Sequence, residues 1–200
     1  MKNSARPSSS LERESAAAEN PAPLLLSAFT TPLGWIGLLG QRNKLIGIFA
    51  GYGSETAIRN QAKSRSGGAC LYDDWSPELR ELFTAYADGD VVDFSEVEIE
   101  LPKLTRFRRN IVDATRRLGH GQTASYGELA TMAGHPGAAR AVGTVMSTNQ
   151  FPILIPCHRV LAAGGKLGGY TSPAGTKFKL RLLEMEARSV GRTFNLAELR

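Results

Sequence analysis

Residues 125–149 read SYGELATMAGHPGAARAVGTVMSTN. Ser125 with Glu128 three residues later forms a capping box, in which each side chain satisfies a backbone N–H of the other and so starts a helix, ELATMAG. His135, Pro136 and Gly137 supply the turn, and AARAVGTVMSTN continues as a second helix built mainly from small residues. Helix, short turn and helix in direct succession predict a helix-turn-helix, although an ordinary αα-hairpin has the same local signature.

Upstream, LTRFRRNIVDATRRLGHG places Leu104, Phe107, Ile111, Val112 and Leu118 on one helical stripe and five arginines elsewhere, with Gly119 as the stop. Downstream, FPILIPCHRVLAAGGKLGGY reads as an apolar strand interrupted by Pro152 and Pro156, then a Gly-rich hairpin. AGTKFKLRLLEMEAR closes this region as a basic amphipathic helix. Further toward the N-terminus, Leu24–Gly53 alternates apolar runs with turn residues and predicts a β-meander. Gln61–Gly68 is polar and is expected to be a loop. Ser76 and Pro77 open a helix that Gly89 stops, and VVDFSEVEIELP alternates as a strand. The organisation expected is a tail over 1–23, an α/β domain over 24–102, a second domain over 103–188 and a C-terminal tail over 189–200, an α+β fold class.

The 200 residues are enough for a sizeable core, and no apolar run approaches the roughly 20 residues needed to cross a bilayer, so no membrane partner is expected. The first twenty residues carry three basic and three acidic side chains and lack the apolar segment of a secretory signal. Two cysteines, Cys70 and Cys157, fit free thiols in a reducing cytoplasm. The three histidines are scattered, so neither a metal site nor a cofactor is expected. The net charge of +5 is unevenly placed: residues 20–100 hold six Lys/Arg against eleven Asp/Glu, and residues 103–188 hold thirteen against four. A polyanion partner would meet the second region, and a merely solvated basic surface is the competing explanation.

Chemistry centres on Cys157. A thiol is a useful nucleophile only as thiolate, and His158 with Arg159 beside it are the residue types that promote that form. A buried, inert cysteine would look the same from this dipeptide alone. The wider pattern is more specific: Pro156-Cys157-His158-Arg159-Val160 after Phe-Pro-Ile-Leu-Ile, with Tyr126, Ala138-Ala139-Arg140-Ala141-Val142-Gly143 and Asn149 upstream and Gly-Gly-Tyr downstream. Over about Phe107 to Glu186 this resembles the O6-alkylguanine-DNA alkyltransferase family.

The resemblance implies a ribonuclease-H-like first domain, a winged-helix-like second one, and single-turnover repair in which Cys157 accepts an alkyl group from O6 of guanine, with O4-alkylthymine a further substrate. It implies that His158 takes the thiol proton through water, that Glu184 orients His158, and that Asn149 braces the turn before the cysteine. Arg140 would fill the stack vacated by a flipped base, Tyr126 would rotate the phosphate and protonate the departing guanine, and Ala138, Ala139 and Gly143 would let the helix approach the minor groove of double-stranded DNA. Tyr170, Thr171, Ser172, Met146 and Lys177 would form the base pocket. Thr171-Ser172-Pro173 stands where the family often has Ser-Gly, which predicts a narrower or stiffer pocket. A monomer is the expected state. The competing classes are a damage-binding module without transfer, whose members lack the acceptor cysteine that Cys157 supplies; a thiol hydrolase, which would turn over where a transferase is inactivated stoichiometrically; and a helix-turn-helix regulator, whose repair-linked relatives carry an additional DNA-binding and metal-binding domain.

Overall fold

The computed structural model describes residues 22–67 and 70–194; most of the two expected tails, and Gly68, lie outside these. Strands β1 (Leu25–Thr31), β2 (Gly34–Gln41) and β3 (Lys44–Tyr52) form the antiparallel meander that the sequence predicts. Helix α1 (Glu55–Ser66) follows, then β4 (Leu71–Tyr72), which pairs parallel to β1 and completes the sheet order β3-β2-β1-β4. The polar run from Gln61 is therefore helix, a correction to the expected loop: Ser54 accepts a hydrogen bond from Ala57 N, Ile58 and Ala62 anchor the buried side, and Gly67 at φ 69° closes the last turn. Its polarity marks a solvated helix face. Helix α2 (Pro77–Asp88) has proline in its first turn and Gly89 at its end, and turns Phe83 and Tyr86 fully inward.

Residues 91–102 form no strand. Asp93 Oδ1 accepts from Ser95 N at 2.8 Å and Phe94 O accepts from Val97 N, local turns that compete with a ladder. A single bridge, Leu45 to Ile99, holds this segment beside β3.

Helix α3 (Arg106–Arg116) starts on Thr105, whose hydroxyl accepts from Arg108 N. The two-residue strand β5 (Ala124–Ser125) leads into α4 (Tyr126–Met132), where the Ser125/Glu128 capping box is complete in both directions. After the turn comes α5 (Ala139–Ser147). The stretch 151–161, expected as a strand, is instead a tight buried turn followed by a 3-10 turn, Cys157–Arg159, and β6 (Val160–Leu161). Asn149 and the backbone bond Ile155 N to Phe151 O supply the hydrogen bonds that a strand partner would have made, and Ile153 takes a φ of 75°. No Gly-rich hairpin forms either; Ala163–Gly165 is a second 3-10 turn, closed by Ala162 N to Lys166 O. Helix α6 (Gly175–Ser189) ends the described fold.

The α+β class holds, and one contiguous core runs from Leu38 and Phe83 in the first region through Ile111, Leu129 and Val142 to Phe178 and Leu182. Two features position the site. Parallel pairing of β5 with β6 sets Tyr126 alongside the segment that leaves Cys157. Ile48 N on the edge strand β3 donates to Gln150 O, which ties the sheet to the turn carrying the cysteine.

Candidate active site

Cys157 and His158 are neighbours on a 3-10 turn and point to different environments. Cys157 lies at the floor of a cavity of about 640 Å³ whose walls include Tyr126, Arg140, Gly143, Met146, Tyr170 and Thr171. His158 is fully buried on the other side of the turn.

Asn149 organises the sulfur. Its Nδ2 donates to Ile155 O at 2.8 Å and to Cys157 Sγ at 3.1 Å, and its Oδ1 accepts from Phe151 N at 2.9 Å. Helix α5 ends two residues earlier, at Ser147, so the side chain bonds forward into the turn rather than capping the helix. Burial pushes the Cys157 thiol above its ordinary 9.0; the Asn149 hydrogen bond, the charge of Lys179 and the Tyr170 hydroxyl pull the other way. The resting group is thus a thiol, and attack requires that its proton leave.

The proton acceptor has the matching bias. Burial pushes His158 below its ordinary 6.5, with Glu186 opposing, so the imidazole is neutral near pH 7. Its Nε2 lies 2.8 Å from Glu186 Oε1, a carboxylate that can only accept, so Nε2 carries the proton and Nδ1 offers a lone pair; Nδ1 is buried without a protein partner. Burial alone would raise the Glu186 carboxyl, yet His158 and the Arg159 guanidinium beside it hold it well below the usual carboxylate range. Arg159 donates to Glu186 at 2.7 and 2.9 Å and to Leu118 O, and Gly121 N donates to Oε2 at 3.1 Å.

These contacts correct two expected roles on α6. Glu184, expected to orient His158, is only half-buried and makes no hydrogen bond to it; Glu186 does so. Lys177, expected in the pocket, is exposed, while Lys179 is buried and donates to Val160 O at 2.6 Å and to Leu167 O. Burial lowers Lys179 to about 8. Both slips are of two residues and share a cause: Phe178, Leu182 and Met185 turn inward, and only Lys179 and Glu186 lie near that stripe.

Tyr126 and Met146 line the cavity as expected residues, as do Ala139 and Gly143, where a methyl group would already meet the Tyr126 ring at 4.0 Å. Burial raises the Tyr126 hydroxyl and keeps it protonated. Arg140 is exposed at the rim, and Ala138 caps α5 away from the cavity wall. Tyr170 directs a buried hydroxyl toward the sulfur, and burial holds it well above its ordinary value. Thr171 stands exposed at the mouth. Ser172 is displaced from the expected pocket: its Oγ lies 3.4 Å from Ala50 O and it lines no part of the cavity, because Gly51 lets the 172 segment pack against β3. Sequence reasoning also missed Tyr86, whose Oη donates to Glu186 Oε1 at 2.6 Å from α2, a hundred residues away.

A buried thiol with a histidine–carboxylate pair behind it, opening beside the α4–α5 helix pair, defines a protein built around a cysteine nucleophile. Residues 106–188 match the family model for the DNA-binding domain of 6-O-methylguanine DNA methyltransferase. Methylated-DNA–protein-cysteine methyltransferase of Mycobacterium leprae is 43% identical over 106 residues, 53% of this chain and 62% of its own length. The Mycobacterium tuberculosis protein of that name is 44% identical over 118 residues, 56% of this chain and 69% of its own. The crystal structure of M. tuberculosis O6-methylguanine methyltransferase superposes with a TM-score of 0.68 at 30% identity, covering 88% of this chain and 99% of that one. The same organism's OGT in complex with DNA gives 0.67 at 30% identity, covering 82% and 94%. The chain belongs to the methylated-DNA–protein-cysteine methyltransferase family.

Proposed function

We propose that this protein repairs double-stranded DNA by moving an alkyl group, methyl above all, from O6 of guanine to Cys157, once per molecule. The observation that carries this reading is the floor of the cavity: Cys157 Sγ, held by Asn149, is the nucleophile facing a space large enough for a base. A base inside a duplex cannot reach a buried sulfur, so the alkylated guanine enters flipped, at an unpairing and unstacking cost of a few kcal/mol. Arg140, at the rim on α5, fills the gap in the stack. The small residues Ala139 and Gly143 bring α5 against the minor groove, where phosphates and shape rather than base edges dominate binding.

The Cys157 proton passes through water to Nδ1 of His158, and the imidazolium that forms is stabilised by Glu186. The thiolate attacks the alkyl carbon in line; the S–C bond forms as the C–O6 bond breaks, and Tyr126 supplies a proton to the departing guanine. The product thioether has no route back to thiol, so the protein works once, without cofactor, as a monomer. Its two free cysteines suit the cytoplasm.

Incubation with a duplex containing O6-methylguanine, followed by intact-mass measurement, tests this. One methylene is gained, and none is gained by Cys157→Ala. Absence of the gain, or repeated turnover from one molecule, overturns the proposal.

A further inference from the structure

Glu186 Oε1 accepts from three side chains: His158 Nε2, Arg159 Nη2 and Tyr86 Oη. The phenol oxygen also lies 3.4 Å from His158 Nε2, so it touches both members of the pair. Its ring packs edge-on against Phe94 at 5.7 Å and His120 at 5.8 Å. A phenylalanine would keep that packing without burying a hydroxyl, so the oxygen's contribution lies in its hydrogen bond. We propose that Tyr86 is a positioning residue for the transfer reaction, in which the first region of the chain, through α2, fixes the lone-pair direction and the effective charge of Glu186 and thereby the basicity of His158. This rests on His158 being the proton acceptor for Cys157.

A donor to Oε1 draws negative charge away from the Nε2–H contact, so the carboxylate stabilises an imidazolium less than an unshared one would. Loss of the phenol O–H leaves Glu186 freer to rotate and more strongly negative toward His158. Transfer then slows, because the imidazole is less well held, while the pH at which His158 protonates rises. The titratable and charged groups facing this pair are Tyr86 from α2, His120 from the loop after α3, Arg159 from the turn, Tyr170, and Lys179 from α6. Of these, only His120 has an ordinary value in the same range as His158. A change caused by Tyr86 must therefore survive its removal.

The test is single-turnover methyl transfer from an O6-methylguanine duplex, read by intact mass from pH 5 to 9, in the full chain and in Tyr86→Phe, each with and without His120→Asn. In parallel, alkylation of Cys157 by iodoacetamide, which forms the S–C bond and releases iodide, follows the same proton transfer without DNA. Tyr86→Phe is expected to slow transfer by roughly three- to tenfold at neutral pH and to move the acidic limb of both profiles upward by about half a pH unit. Site-specific 3-fluorotyrosine at position 86 keeps the packing and donates more strongly, and it moves the limb downward; it also serves if the phenylalanine variant does not fold. Superimposable limbs for the native and substituted proteins, or a shift that vanishes with His120→Asn, overturn the role of Tyr86. Absence of methyl transfer by the native chain, with iodoacetamide profiles still shifting, overturns the proposed function and leaves Tyr86 coupled to His158.

Discussion

Replacing Glu186 by glutamine removes one charge from a fully buried site. The carboxylate is 0% exposed and Arg159 only 7% exposed. Arg159 Nη2 and Nε reach it at 2.7 and 2.9 Å, so the substitution leaves a buried guanidinium without its counter-charge and an amide where Tyr86 and His158 both point. Breaking a buried pair from one side costs about 3–5 kcal/mol. At about 2–4 °C per kcal/mol for a chain of this size, the midpoint of thermal unfolding falls by about 6–20 °C. Transfer to Cys157 slows by about tenfold or more, since the imidazolium loses its partner. Circular dichroism gives the first quantity and single-turnover mass measurement the second. Glu184→Gln, two residues away and half-buried, is the control and is expected to stay within about 0.5 kcal/mol of the native protein. Equal losses from the two substitutions, or a Glu186→Gln protein as stable as the native one, would refute the assignment of Glu186 as the buried partner.

Asn149→Ala removes the donor to Cys157 Sγ and two backbone bonds of the turn, so the thiol titrates at higher pH and transfer slows by roughly tenfold or more; the pH dependence of iodoacetamide labelling reads the thiol directly. Lys179→Met is expected to lose activity and Lys177→Met to keep it, checked side by side by single-turnover transfer. Arg140→Ala weakens binding to a lesion duplex and lowers the salt slope by about one, measured by titration at several salt concentrations. Stability falls on acidification: His158 and Glu186 both have folded values below their unfolded ones, so the unfolded chain binds more protons as pH drops below about 6.5, and further below about 4.5, which denaturant midpoints across pH 3–7 will show. Thr171→Gly widens the mouth of the cavity and raises transfer from a benzylated duplex relative to a methylated one, with equal rates for both adducts in the native protein as the contrary result.

Local chemistry made much of the second region legible. The Ser125/Glu128 box needs only four residues, and both of its hydrogen bonds form. Cys157, His158 and Asn149 lie within nine positions of one another, so their grouping survives an error in secondary structure, and the expected strand did become a turn. Helix α6 was legible only in outline. Lys177 with Glu184 and Lys179 with Glu186 are two pairs with the same spacing, and choosing between them requires the phase set by Phe178, Leu182 and Met185, a signal the sequence did contain. Residues 91–102 alternated well enough for a strand, but Asp93 and Ser95 offered the backbone a local partner that pattern alone does not weigh. Tyr86 could not be read at all, because nothing near it in sequence announces a carboxylate a hundred residues on.

Asn149 acts as a pin through three layers of the site. It stands two residues past the end of α5, and with three hydrogen bonds it locks the start and the end of the turn and the sulfur itself. The nucleophile is therefore indexed to α5 as well as, through the Ile48 bond to Gln150, to the sheet. A displacement of α5 would carry the sulfur with it, keeping the distance from helix to reacting atom constant.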